Sequence, residues 1–122
     1  MNPFGYSAEV WRRFQETPRA GTLAGSDVRT ADATTNANRN RLRLQVKMSA
    51  SRLDHARLQA YGCPTTIAVG AWLAEKAVGR ELGELARIDS KTIREALEIP
   101  EDRTHCALLG EDLVKALLAA AR

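Results

Sequence analysis

Along residues 39–48 apolar and polar positions alternate from Arg41 onward. Leu42, Leu44, Val46 and Met48 fall on one side. Arg39, Arg41, Arg43 and Lys47 fall on the other, with Gln45 among them. A period of two belongs to a pleated strand with one face buried, so this segment reads as a strand whose outer face is basic. After a turn around residues 49–52, residues 53–60 return with Ala56, Leu58 and Ala60 inward. The pair predicts an antiparallel hairpin.

Elsewhere the period is helical. Ser7 is placed to cap a short helix over 7–16, with Val10, Trp11 and Phe14 on its apolar side and Pro18 past its end. Pro64 suits the first position of a helix whose stripe is Ile67, Ala68, Ala71, Ala74 and Val78. Trp72 widens that stripe and Gly79 closes it. Residues 81–87 read as another short helix. Asp89 or Ser90 caps the next, which carries Ile93, Ala96 and Leu97 and stops before Pro100. A last helix over about 105–121 turns Leu109, Leu113, Ala116, Leu117 and Ala120 inward, with Glu111 and Lys115 paired at i,i+4.

Residues 19–40 fit neither period. Leu23 and Val28 are their only large apolar side chains, and the remainder is small or polar. Such a stretch predicts a mobile loop over about 19–40, with one weak strand near Gly21–Ala24. The order helix, loop, hairpin, helices describes an α+β domain: a small antiparallel β-sheet of two to three strands with helices packed on one face.

A chain of 122 residues holds one domain, here 1–122, and a domain of this size buries roughly two thirds of its unfolded surface. Apolar residues make up 44% and aromatic residues only 5%, so the core rests on Ala, Leu, Ile and Val. No apolar run reaches the roughly 18 residues that a spanning helix needs, and residues 1–6 hold no basic stretch followed by an apolar one. A cytoplasmic protein without membrane contact is expected. The net charge of +3 hides an asymmetry: residues 1–60 carry ten Lys and Arg against five Asp and Glu, and residues 61–122 carry eight against ten. With so few aromatics to stack on bases, the basic half favours an acidic protein surface over nucleic acid.

Two cysteines, Cys63 and Cys106, are too few for a disulfide framework, and buried apolar thiols are the ordinary reading. Their positions add a second. Cys63 lies where strand gives way to helix, a place where the helix dipole and free N–H groups favour a thiolate. Cys106 opens the last helix beside His105. Two sulfurs and an imidazole suit iron or zinc, although their separation matches no compact metal motif. No Gly-rich phosphate loop, nucleophile elbow or His/Asp relay is present, so no enzyme is expected. Trp11, Trp72 and Phe14 read as core, and His55 as a solvated outer-face residue. Glu111 and Asp112 are adjacent carboxylates that point apart.

Several segments carry a family resemblance. They are Tyr6-Ser7 through Thr17-Pro18-Arg19, Leu42-Arg43-Leu44-Gln45-Val46-Lys47, His55 through Cys63, Thr66-Ile67-Ala68 with Trp72 to Glu75, and His105-Cys106 followed by Leu109-Gly110-Glu111-Asp112. In order and spacing the chain resembles the IscU/NifU-type iron–sulfur cluster assembly scaffold family from Tyr6 to its end. The resemblance implies an IscU-like fold. It also implies a scaffold or carrier that binds iron, a labile 2Fe-2S iron–sulfur cluster or persulfide sulfur through Cys63, His105 and Cys106. Cys106 would be the residue that receives sulfur from a cysteine desulfurase, on a mobile loop. That desulfurase, or other iron–sulfur proteins, would be the partners.

The departures from the family are specific. Its first cysteine would fall at Asn38 and its aspartate at Asn40. An amide oxygen is a hard, neutral, weak donor and replaces neither. The family's Leu-Pro-Pro-Val-Lys docking segment reads Ile99-Pro100-Glu101-Asp102-Arg103 here. A fourth ligand would have to come from outside or from a second copy. Two alternatives stay open: a non-catalytic subunit docking on a desulfurase or larger iron–sulfur complex, and a zinc form with three protein ligands. Arg39, Arg41, Arg43 and Arg103 flank the expected site as candidates for a partner surface.

Overall fold

The alternating segment becomes the middle of the sheet. In the computed structural model, which describes residues 5–35 and 40–120, strands β1 (Val28–Thr34), β2 (Arg41–Ser49) and β3 (Arg52–Tyr61) pair antiparallel in the order β1-β2-β3. The register sets Leu44 between Ala31 and Leu58, and Val46 between Arg29 and Ala56. Leu42, Leu44 and Val46 are buried, whereas Arg41 and Arg43 on the opposite face are exposed. His55 is exposed, as expected of the outer face. A two-residue turn joins β2 to β3, with Ala50 at φ 58°, and the register shifts between Lys47 and Met48. That irregularity resets the phase of β3, so Leu53 joins Ala56 and Leu58 in the core.

Among the described residues, four helices accompany the sheet: α1 (Ala8–Gln15), α2 (Pro64–Ala77), α3 (Ser90–Leu97) and α4 (Thr104–Ala120). Short 3-10 turns at Leu82–Arg87 and Glu101–Arg103 connect the last three. Helix α4 lies on β1 and β2, and α2 lies on β2 and β3; α1 packs on α2, and α3 on α4. The capping residues are those that the sequence offers. Ser7 accepts from the Val10 N–H, and its hydroxyl also donates to the Leu97 carbonyl at 2.6 Å, tying α1 to the end of α3. Asp89 accepts from the Thr92 N–H at 2.8 Å. Helix α4 comes close to α2 because Gly110 lacks a side chain. A Cβ there would stand 2.6 Å from Val69 Cγ1 and 2.9 Å from Ile93 Cδ1. Among the described residues, no helix is long and apolar enough to cross a membrane.

Two expectations are corrected. Residues 28–34 form a full edge strand inside the segment expected to be a loop over 19–40. Its inward face carries Arg29 with Ala31 and Ala33, which do not register as an apolar pattern, yet the small alanines are what permit α4 to lie against it. Residues 21–24 form no strand. Instead Ala20 makes a single parallel bridge to Leu58, with the Gly21 N–H donating to the Leu58 carbonyl and the Leu58 N–H donating to the Arg19 carbonyl. The chain then crosses the outer face toward β1, where the Leu23 N–H donates to Gln45 Oε1 at 2.8 Å. The second correction concerns α1. Trp11 and Phe14 are only half-buried and pack against each other, with ring centroids 5.3 Å apart. The side of α1 that faces inward carries Val10 and Arg13. Arg13 pairs with Glu75 of α2 at 2.7 Å and with Glu9 at 3.1 Å. Trp72, by contrast, is core as expected.

Candidate functional site

The site is made by an elbow. Strand β3 ends at Tyr61 and α2 begins at Pro64, leaving Gly62 and Cys63 to turn the chain. Gly62 takes φ 146°, a conformation that L side chains rarely adopt, and the Asn40 side chain lies against it. A Cβ on Gly62 would collide with the Asn40 amide. Cys63 is the N-cap residue of α2, but its sulfur makes no capping hydrogen bond. Pro64 then supplies the first helical residue, where a missing N–H is no loss.

The sulfur of Cys63 turns toward the first turn of α4. Cys63 Sγ stands 3.8 Å from Cys106 Sγ, and Thr66 Oγ1 lies 3.5 Å from each sulfur. Both cysteines are free thiols. Cys106 is 0% exposed, whereas Cys63 is half-exposed. They therefore share their protons unequally. The Cys106 thiol donates to Cys63 Sγ and is the largest cause holding Cys63 well below the ordinary thiol range. Burial opposes that shift. The Thr66 hydroxyl reinforces it, and so do the nearby N–H groups of Thr66 and Thr65, although neither closes a capping hydrogen bond. The same sulfur–sulfur contact, followed by burial, pushes Cys106 upward. Both shifts favour negative charge on the half-exposed sulfur over the buried one.

A cleft of about 770 Å³ opens over Cys63, lined by Asn40, Tyr61, Asp102, Arg103 and His105 among others. Arg103 lies over the Tyr6 ring at 4.5 Å, and Tyr6 and, more weakly, Cys63 favour its charged form. Arg41 lies 5.9 Å from the centre of the Tyr61 ring, which is itself 66% exposed. Arg43 instead pairs with Asp32 on the outer sheet face at 2.7 Å. Cys63, His105 and Arg103 are thus gathered at one cleft, with Cys106 directly beneath Cys63. The last cysteine lies inside the first turn of α4, not on a loop.

The donor set for a metal is short. Among the described residues, no group of three or more His, Cys, Asp or Glu is placed to hold a metal ion. His105 lines the cleft without completing such a group. Asn40 is 3% exposed and packs on Gly62, so it fills space as well as facing the cleft. Asn38 and Arg39 lie outside the described residues. Sequence reasoning assigned no role to Thr66, whose hydroxyl touches both sulfurs. The signal was available: Thr66 stands three residues after an N-cap, the position toward which a capping side chain points.

A small α+β domain that presents two adjacent thiols at a strand–helix elbow is the class that fold and site define. The pattern of the NifU-like N terminal domain matches residues 5–121. The iron–sulfur cluster assembly scaffold protein IscU of Haemophilus influenzae is 31% identical over 117 residues, covering 93% of each chain. That of Escherichia coli K12 is 29% identical, covering 93% of this chain and 91% of its own. The crystal structure of the N-terminal part of a nitrogen-fixing NifU-like protein from Brucella abortus superposes with a TM-score of 0.76 at 17% identity, over 93% and 92% of the two chains. The chain belongs to the family of NifU-like N-terminal domains and is similar to IscU scaffolds, and the resemblance read from its motifs is borne out.

Proposed function

We propose that this protein is a divergent iron–sulfur assembly scaffold or carrier, holding iron, a labile cluster or persulfide sulfur at Cys63 and Cys106 as cargo. The observation that supports it is the pair of free thiols 3.8 Å apart beneath an open cleft, one of them favoured as thiolate. Thiolate is the form that binds soft metals and attacks sulfur. His105 borders the same cleft and is the remaining nitrogen donor. With two sulfurs and one imidazole, a bound cluster needs a ligand from a partner protein or a second copy, and its hold is weak. A zinc form fits less well, because a structural zinc site needs its ligands already converging. The protein acts as a carrier rather than an enzyme, in the cytoplasm, with a cysteine desulfurase or another iron–sulfur protein as its partner.

The test is anaerobic reconstitution of the reduced protein with ferrous iron and sulfide, followed by absorption spectra and metal analysis. A labile iron–sulfur species is expected, with iron uptake falling in Cys63→Ser. A cluster on isolated monomer that survives gel filtration would contradict the donor count. No uptake of iron or sulfur would overturn the reading.

A further inference from the structure

The two sulfurs differ in one respect that metal binding does not require. One faces the cleft and the other lies completely buried behind it, within van der Waals reach. A sulfane-sulfur donor entering the cleft meets Cys63 first. Cys106 has no exposed surface through which to meet a donor. An accepted sulfur atom extends from Cys63 toward the cleft, so the inner atom, Cys63 Sγ, remains the one that faces Cys106.

We propose that Cys63 is the sulfur acceptor and Cys106 its resolving thiol, so that the pair releases accepted sulfane sulfur as sulfide. This rests on the scaffold or carrier reading and reverses the role that the family resemblance gives to Cys106. In the first step Cys63 takes the outer sulfur of a persulfide donor, forming Cys63–S–SH and leaving the donor as a thiol. In the second step Cys106 Sγ bonds to Cys63 Sγ, and the bond from Cys63 Sγ to the outer sulfur breaks. The outer sulfur departs with the electron pair and takes the Cys106 proton, leaving as hydrogen sulfide. The sulfane sulfur is reduced by two electrons, and the two thiols are oxidised to a Cys63–Cys106 disulfide. An external thiol or dithiol reductant resets the pair. The sulfurs need to approach by about 1.8 Å to reach a disulfide bond length of about 2.05 Å. Cys63 is half-exposed and lies outside the helix as its cap, whereas Cys106 is fully buried within α4, so the approach falls to Cys63.

The probe is glutathione persulfide, one equivalent added without oxygen to the reduced full chain. Intact mass, peptide mapping and released sulfide are the readouts. Wild-type protein is expected to end as the Cys63–Cys106 disulfide, with about one sulfide released per chain. Cys106→Ser is expected to stop as a lasting persulfide on Cys63, with sulfide release lost. Cys63→Ser is expected to take up no sulfur. Cys106→Ala, checked by circular dichroism, repeats the second arm if serine perturbs the buried position. A persulfide mapped to Cys106, or a lasting wild-type persulfide without disulfide, would overturn the proposal. Wild-type protein that loads iron but keeps its persulfide sinks sulfide release alone. Protein that takes up neither iron nor sulfur sinks the scaffold reading with it.

Discussion

The elbow before α2 and the first turn of α4 each carry one cysteine at the start of a helix, and they treat it in opposite ways. At the elbow, Tyr61 and Gly62 are exposed and Cys63 sits outside the helix as its cap. In the first turn of α4, Cys106 and Ala107 are buried, and Leu109 and Gly110 behind them are buried too. Both sulfurs feel a helix N-terminus, so the dipole does not separate them. Packing does. The elbow leaves its sulfur half-exposed at the edge of the cleft, whereas α4 is pressed between the sheet and α3. Local sequence position sets where a cysteine can be reactive, and tertiary packing decides which of two becomes so.

The largest expected effect is in thiol reactivity. Iodoacetamide under native conditions should label Cys63 and spare Cys106, read by peptide mass spectrometry. Reaching Cys106 requires opening the core. Even a local opening of about 4 kcal/mol, below the 5–15 kcal/mol typical of whole domains, slows labelling roughly a thousandfold. The pH dependence carries a sign. Thiolate is the reacting form, and the Cys63 value is depressed, so its labelling persists below the ordinary thiol range. It falls only as the pH drops through that depressed value. Equal labelling of the two thiols would erase the distinction between the two regions.

The stability of the two regions differs next. Leu109→Ala, in the α4 core face, should cost about 2–5 kcal/mol in urea unfolding. Tyr61→Ala at the elbow should fall within about 0.5 kcal/mol of wild type. A comparable loss at Tyr61 would mean that the elbow is held by packing after all.

Much of this division was legible in the sequence and part was not. The alternation at Leu42, Leu44 and Val46 gave the central strand, and Pro64 after Cys63 gave the elbow. The caps at Ser7 and Asp89 were equally plain, because capping is a local interaction. Strand β1 was not legible. Its inward face carries Arg29, Ala31 and Ala33, and the value of the two alanines lies in letting α4 approach, a property of the pair of elements and not of either alone. The inward turn of Arg13 was hidden for the same reason, since Glu75 lies 62 residues away. Cys63, His105 and Cys106 could be named from residue types and family spacing. Which sulfur is buried could not, because both stand at the start of a helix. Asn40 read as a lost ligand, and its second role against Gly62 needed the fold to bring them together.

That contact gives the third expectation. Gly62→Ala combines a strained φ with a collision against the Asn40 amide, and should cost about 1–3 kcal/mol. In Gly62→Ala with Asn40→Ala the collision disappears and only the backbone strain remains. The double-mutant cycle should therefore show a favourable coupling of about 0.5–2 kcal/mol. Strict additivity would show that the elbow yields without Asn40, and that its geometry is looser than that of the buried turn facing it.

The smallest effect tests how far the surroundings of the cleft contribute to the asymmetry. Arg103 is half-buried, lines the cleft, and interacts favourably with the Cys63 thiolate, though less strongly than with Tyr6. Removing a cation disfavours a nearby thiolate, so Arg103→Gln should move the midpoint of Cys63 labelling to higher pH. Water and salt screen this interaction, and a shift of one pKa unit needs about 1.4 kcal/mol, so the displacement should stay below about one unit. Cys106→Ala should displace the midpoint further in the same direction, because the Cys106 thiol is the largest cause of the Cys63 shift. If Arg103→Gln instead exceeded Cys106→Ala, the charge of the cleft rather than the buried partner would govern the reactive sulfur. The contrast between the two helix starts would then reduce to a difference in exposure.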